Sequence, residues 1–314
     1  MVTSFRERTV GDVFWHSAGF FFGFALMTID YVLFPSSLTT ENLEFIHSPK
    51  AWVWILFICA QFTYWAYLAL PMRRLKNEIK KDYHLEITRE IFLKSVFAGA
   101  FFVIPGVFMF YVMPDPNLAH NDLKLAIVNV IGIVVAIMPM VGIWYIRTAL
   151  ETSFNVEGGQ PGSEQDQKFK IESLLRLRGD LQRFITFLGV MITLATLARG
   201  ALRQAYLATG GVPAAFPPDY VLLHGAYFTG LLALLYIPTY TIMAEVGSDL
   251  VDALFPLDAP ELDVRRLGEW QANRKCLENL LQLQAGALEN LKASVSILAP
   301  LGSSVIAVLL ESNR

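Results

Sequence analysis

The chain has 314 residues, of which 54% are hydrophobic and only 17% charged, against about 25% charged in a typical soluble domain. Mean hydropathy is +0.45 with a pI near 6.0, and 25 basic against 28 acidic residues leave a formal charge of −3. That balance argues against nucleic acid as a partner. Together with several long apolar runs, it points to an all-α polytopic membrane protein whose first partner is the lipid bilayer.

The first apolar run is Val13 to Phe34, closed by Pro35. It has the length of one crossing of a ~30 Å hydrocarbon core. It lacks a small-residue cleavage site and so reads as a retained span. Within it, Gly19 and Gly23 form a small-xxx-small pair that permits close helix approach. Asp30 lies near its far end. The second run, Ala51 to Leu70, is closed by Pro71 and carries Trp52, Trp54, Trp65 and Tyr67 near its ends, as interfacial aromatics do. A charged stretch from Met72 to Lys94 follows, with acids and bases at helical spacing.

The third run is Ser95 to Met113, with a kink expected at Pro105-Gly106. A turn without Lys or Arg, Pro114 to Asp122, leads to the fourth run, Leu123 to Ile146, which contains Pro139. Gly158 to Ser163 reads as a flexible loop. A basic helix with Arg176, Arg178 and Arg183 then feeds the fifth run, Phe184 to Ala198, which meets Arg199 at its end and Arg203 one turn on. The sixth run is Tyr220 to Met243, with Pro238 inside it.

Lys and Arg concentrate in alternate intervals, 72–94 and 147–183, and are almost absent from 35–50, 114–122 and 204–219. The positive-inside rule then gives six spans within residues 1–243 and a cytoplasmic N-terminus. The layout is that of a multi-pass protein of a bacterial inner membrane. Residues 244–314 form a cytoplasmic helical tail in this reading. Leu277-Glu278-Asn279-Leu280 recurs as Leu288-Glu289-Asn290-Leu291; on one continuous helix, a spacing of about three turns places both copies on one face. The segment from Ala293 to Leu310 has two readings. It is a seventh span or re-entrant segment, or it is a helix packing on the cytoplasmic side, within one subunit or between subunits, with Leu291, Val295, Leu298, Gly302, Val305 and Leu309 as its seam. That seam and the Gly19/Gly23 face make a homo-oligomer an expectation.

Two groups of residues could carry function. At 1.5 Å per residue, Asp30 and Arg199 fall about 9 and 7 Å beyond the middle of their spans, on the outer side, and His224 enters at a similar level. Intramembrane charges are costly and usually face the bundle interior. Asp30, Arg199 and His224 are therefore a candidate polar cluster, with an Asp30–Arg199 ion pair expected unless Arg199 snorkels to the headgroups. Glu245, Asp249 and Asp252 are the second group. Spaced i, i+4 and i+7, they form an acidic face opposite Arg147 and Glu151 at the cytoplasmic mouth, or an ordinary solvated helix end.

No catalytic or metal-binding motif is present: no HExxH, Walker A, GxGxxG or GxSxG. The histidines at 16, 47, 84, 120 and 224 never fall at ligand spacing with Cys, Asp or Glu. No cofactor is implied, and Cys59 and Cys276 lie too far apart in the layout to predict a disulfide. Three functions follow as expectations. The foremost is a small-solute or ion conduit. The second is a regulatory or effector protein whose loops and tail sense a soluble partner, unidentified by the sequence, and alter permeability. The third is a membrane enzyme acting on lipid.

Overall fold

The computed structural model describes residues 2–34, 38–85, 93, 121–154, 164–256, 264–283 and 291–312. Among them every regular element is helical: α1 Val2–Leu33, α2 Thr40–His47, α3 Pro49–Asp82, α4 Asn121–Ser153, α5 Glu164–Ala208, α6 Asp219–Leu254, α7 Val264–Leu280 and α8 Leu291–Ser312, with a 3-10 turn at Pro213–Ala215. Five of these helices, α1, α3, α4, α5 and α6, are long and apolar enough to cross a membrane. The third predicted run, its Pro105-Gly106 kink and the Gly158–Ser163 loop lie outside the described residues.

The helices outrun their apolar stretches. Pro71, expected to end the second span, sits inside α3, which continues to Asp82. A proline removes one backbone hydrogen bond, but the following turns are held from outside the helix. Met72, Leu75 and Ile79 are buried, and Arg176 of α5 reaches back to Asp82 at 2.7 Å and Glu78 at 3.7 Å. Pro139 and Pro238 likewise lie within unbroken helices. The half-helices that make substrate sites in many transporters are therefore not produced at these two prolines.

The bundle has a basic end, formed by Tyr83, Ser153 and the start of α5. Its distal end carries the 209–219 turn. Gly210 takes the left-handed conformation there, with φ 82°, and Arg203 Nε donates to the Phe216 carbonyl at 2.6 Å, tying α5 to the turn. Among the described helices, α1 packs chiefly on α3. There a Cβ on Gly19 would lie 2.5 Å from the Phe62 carbonyl oxygen and one on Gly23 2.9 Å from the Phe62 ring. The glycine face expected to serve a second copy is thus filled by α3 of the same chain. The other faces of α1 expose Phe14, Phe21, Phe22 and Val32, the composition of a lipid-facing surface.

The tail departs from the expected single helical face. α7 stops at Leu280, and Gln282 adopts φ 49°. The helix break separates the two Leu-Glu-Asn-Leu copies, so they do not lie on one continuous face; the second is described only from Leu291. α8 packs along α5 and α6, with Thr186 and Ser296 hydroxyls 3.3 Å apart. Its predicted seam points outward: Val295, Leu298, Gly302 and Val305 are exposed, whereas Ile297, Pro300, Ser303 and Ser304 are buried. Inside a bilayer, small and weakly polar residues make helix contacts, and large aliphatic ones can face lipid without penalty.

Candidate functional site

Charge enters the apolar bundle from the distal end. Asp30, in the last turn of α1, meets Lys124, in the first turn of α4. Lys124 Nζ lies 2.7 Å from Asp30 Oδ2, with side-chain exposures of 7% and 13%. The ammonium also donates to the Met27 carbonyl at 3.1 Å and stands 5.2 Å from the centre of the Tyr31 ring. Asp30 therefore takes its counter-ion from α4, where the sequence pointed to Arg199. Lys124 was hidden inside an apolar run. Its signal was depth: it lies two residues into a span beginning at the same end where Asp30's span stops.

Deeper in, His224 and Thr196 bring α6 and α5 together. Thr196 Oγ1 donates to the Ile192 carbonyl at 2.9 Å and lies 3.2 Å from His224 Nδ1. The hydroxyl has a single proton, already directed to Ile192. The imidazole is then the donor at Nδ1. Phe228 lies against the ring, with centroids 4.7 Å apart. Arg199 lies half-buried on α5, one turn beyond Thr196. Asp30 thus pairs with Lys124, while Arg199 lies one helical turn beyond the Thr196 that meets His224.

The two groups occupy successive levels. Gly23 of α1 packs on Cys59 of α3, and Gln61 Nε2 donates to the Leu194 carbonyl of α5 at 3.4 Å. Counting residues through these contacts puts Asp30 level with the Arg203 turn of α5. The Thr196–His224 contact is about 10 Å deeper at 1.5 Å per residue, with Arg199 between.

At the basic end, Glu245, Asp249 and Asp252 are all exposed along one face of α6. Asp252 is engaged by the tail: Arg274 Nη2 lies 2.6 Å from its carboxylate, Nε lies 3.0 Å from Glu278, and Nη1 donates to the Phe255 carbonyl at 2.9 Å. Arg147 bonds its own neighbour Glu151 at 2.8 Å. No group of three or more His, Cys, Asp or Glu side chains among the described residues is placed to hold a metal ion. Arg274 is a latch between α6 and α7. Arg274→Ala is expected to speed proteolytic cleavage between 255 and 283 while leaving the melting temperature of the bundle unchanged.

A second tail anchor was missed because it reads as one more basic residue. Arg178 is buried in α5, donates to the Leu281 carbonyl and lies over the Tyr240 ring with its guanidinium carbon 5.6 Å from the centroid. Nearby, an open pocket of about 670 Å³ is lined by residues including Asp82, Tyr83, Asp166, Lys170, Ser173 and Arg176. Burial raises the Tyr83 phenol above its ordinary pKa, opposed by a hydrogen bond with Ser173 and by the Arg176 charge. The group is therefore a neutral donor near pH 7.

The chain matches no protein-family model, and comparison with curated proteins and with solved structures returned no match.

Proposed function

We propose that the protein is a conduit for a small solute or ion in a bacterial inner membrane, with its N-terminus and basic end in the cytoplasm. The observation that carries this reading is the descent of ionisable side chains into the apolar bundle: Asp30 and Lys124, then Arg199, then His224 with Thr196. Each is costly to bury in a membrane, and such residues ordinarily mark substrate paths or relays. The His224 ring, buried beside the Thr196 hydroxyl, is suited to pass on a proton or to bind a polar solute. The concentration of Lys and Arg at one end supports the orientation.

Reconstituted protein should dissipate an imposed gradient faster than empty vesicles, and His224→Ala should change that rate without changing insertion. Flux no greater than in empty vesicles, for several cations and anions at both voltage signs, would sink the proposal.

The tail supports a second reading, in which a soluble partner regulates the bundle. Arg178 and Arg274 hold the α7 region at the basic end through buried and exposed contacts respectively. A partner competing for Asp252 or the Leu281 carbonyl would loosen it. Arg274→Ala, which frees α7 from Asp252 and leaves α8 in place, should then alter flux control while the spans still insert.

A further inference from the structure

We propose that α8 crosses the membrane as an additional span, parallel to α5, and delivers the carboxy terminus to the face opposite the basic end. The proposal rests on the membrane reading and is independent of what, if anything, is conducted.

Register carries it first. α8 meets α5 at Ser296, whose hydroxyl lies 3.3 Å from that of Thr186 and whose backbone crowds Gly189. Further along, it meets α6 at Gly225, where an added Cβ would lie 2.5 Å from Ser304 Oγ and 2.7 Å from the Pro300 carbonyl oxygen. Gly225 is next to His224, and His224 is level with Thr196 of α5. From Gly189 to Thr196, α5 advances about 11 Å. From Ser296 to Ser304, α8 advances about 12 Å in the same direction at 1.5 Å per residue. Extending the register puts Leu291 level with Phe184, where the fifth apolar run begins. It puts Ser312 level with Gln204, where α5 approaches the distal turn. The 22 residues of α8 span about 33 Å, enough for a ~30 Å core.

Surface chemistry carries it second. The outward face of α8 presents Val295, Leu298, Val305 and Ile306 at 60, 51, 40 and 54% exposure. The inward face presents Ser303 and Ser304, both buried. A helix packed on a protein in water has the opposite arrangement. Both hydroxyls are satisfied within the helix, Ser303 by the Pro300 carbonyl at 2.8 Å and Ser304 by the Leu301 carbonyl at 2.7 Å, as a dry environment requires. The occupant that fits the outward face is the acyl region of the bilayer, because the spans that α8 packs on also turn large aliphatic residues outward, Val190 of α5 and Leu223 and Leu234 of α6. Polar residues flank the helix, Lys292 near its start and Glu311, Asn313 and Arg314 at its end.

The test uses the full chain in its native membrane. The native thiol Cys276, exposed on α7, reports the basic end. In a second variant, Cys276→Ser with Asn313→Cys, the new thiol reports the carboxy terminus. A membrane-impermeant thiol reagent should label Cys276 in one vesicle orientation and the terminal thiol in the other, with both labelled in detergent. A short bifunctional cross-linker should also join Thr186→Cys to Ser296→Cys. Labelling of both reporters from one side overturns the proposal. If the cross-link still forms in that case, α8 is a re-entrant segment on the same contacts. Labelling on opposite sides without the cross-link also overturns it, since α8 would then cross away from α5. Opposite sides with the cross-link is the expected result.

Discussion

Lys124→Met is expected to destabilise the protein by about 3–5 kcal/mol, the cost of leaving a buried charge without its partner. The Asp30 carboxylate has 13% side-chain exposure, and its ion pair is at 2.7 Å. Removing the ammonium also abolishes the bond to the Met27 carbonyl. Asp30→Leu should cost a comparable amount, because it strands the lysine instead. The double variant should recover most of the loss, since an apolar pair can replace a buried ionic one at little net cost. Unfolding titrations of the four proteins in detergent complete the cycle, and additive single-variant effects would mean that the two side chains do not interact. The exposed Arg147–Glu151 pair is the internal comparison. At 2.8 Å its geometry is similar, yet solvent screening should hold its contribution below about 1 kcal/mol. Burial, not distance, separates the two cases.

Alanine at Gly189 or Gly225 is expected to destabilise, and alanine at Gly230 to do the reverse. All three glycines lie inside membrane-length helices, where alanine is the better helix former by about 1 kcal/mol. At Gly230 nothing lies within 4 Å of the added methyl, so only that gain remains. At Gly225 the methyl would meet the Pro300 carbonyl oxygen at 2.7 Å, and at Gly189 it would crowd the Ser296 backbone. A carbonyl in a neighbouring helix does not swing aside as a side-chain tip would, so α8 must move bodily. Overpacking of this kind costs about 1–3 kcal/mol, enough to reverse the propensity gain. The readout is the sign of the change in melting temperature across the three variants. A rise at Gly189 or Gly225 would mean that α8 does not seat there.

The long apolar runs were legible because a bilayer demands continuous backbone pairing and a fixed length, and both leave strong marks in composition. Helix ends were less legible. Pro71 looks like a stop, but Arg176, a hundred residues later, holds the turns beyond it, and local chemistry carries no trace of so distant a partner. The polar site was partly legible. Depth reasoning put Asp30, Arg199 and His224 in one layer, but helix contacts set Asp30 beside Lys124 and the Thr196–His224 contact at a deeper level. Lys124 was lost among leucines and valines because a single lysine barely lowers the mean of an apolar window. The packing face of α8 was misread for a physical reason. Heptad reasoning assumes that large aliphatic residues seek each other, as they do in water; on the proposal that α8 crosses the bilayer, lipid satisfies them equally well. The serines were the informative residues.

The Asp30–Lys124 contact also dictates an order of events at the ribosome. Synthesis proceeds at about 5–20 residues per second, and Lys124 follows Asp30 by 94 positions in the chain. The carboxylate therefore waits on the order of 5–20 seconds at that pace before its counter-ion exists. During that interval α1 and α3 can already associate through Gly19 and Gly23, while the Asp30 carboxylate lacks Lys124. The Asp30–Lys124 contact can therefore close only after α4 has been made, which places the sealing of the distal end of α1 after the docking of α1 on α3.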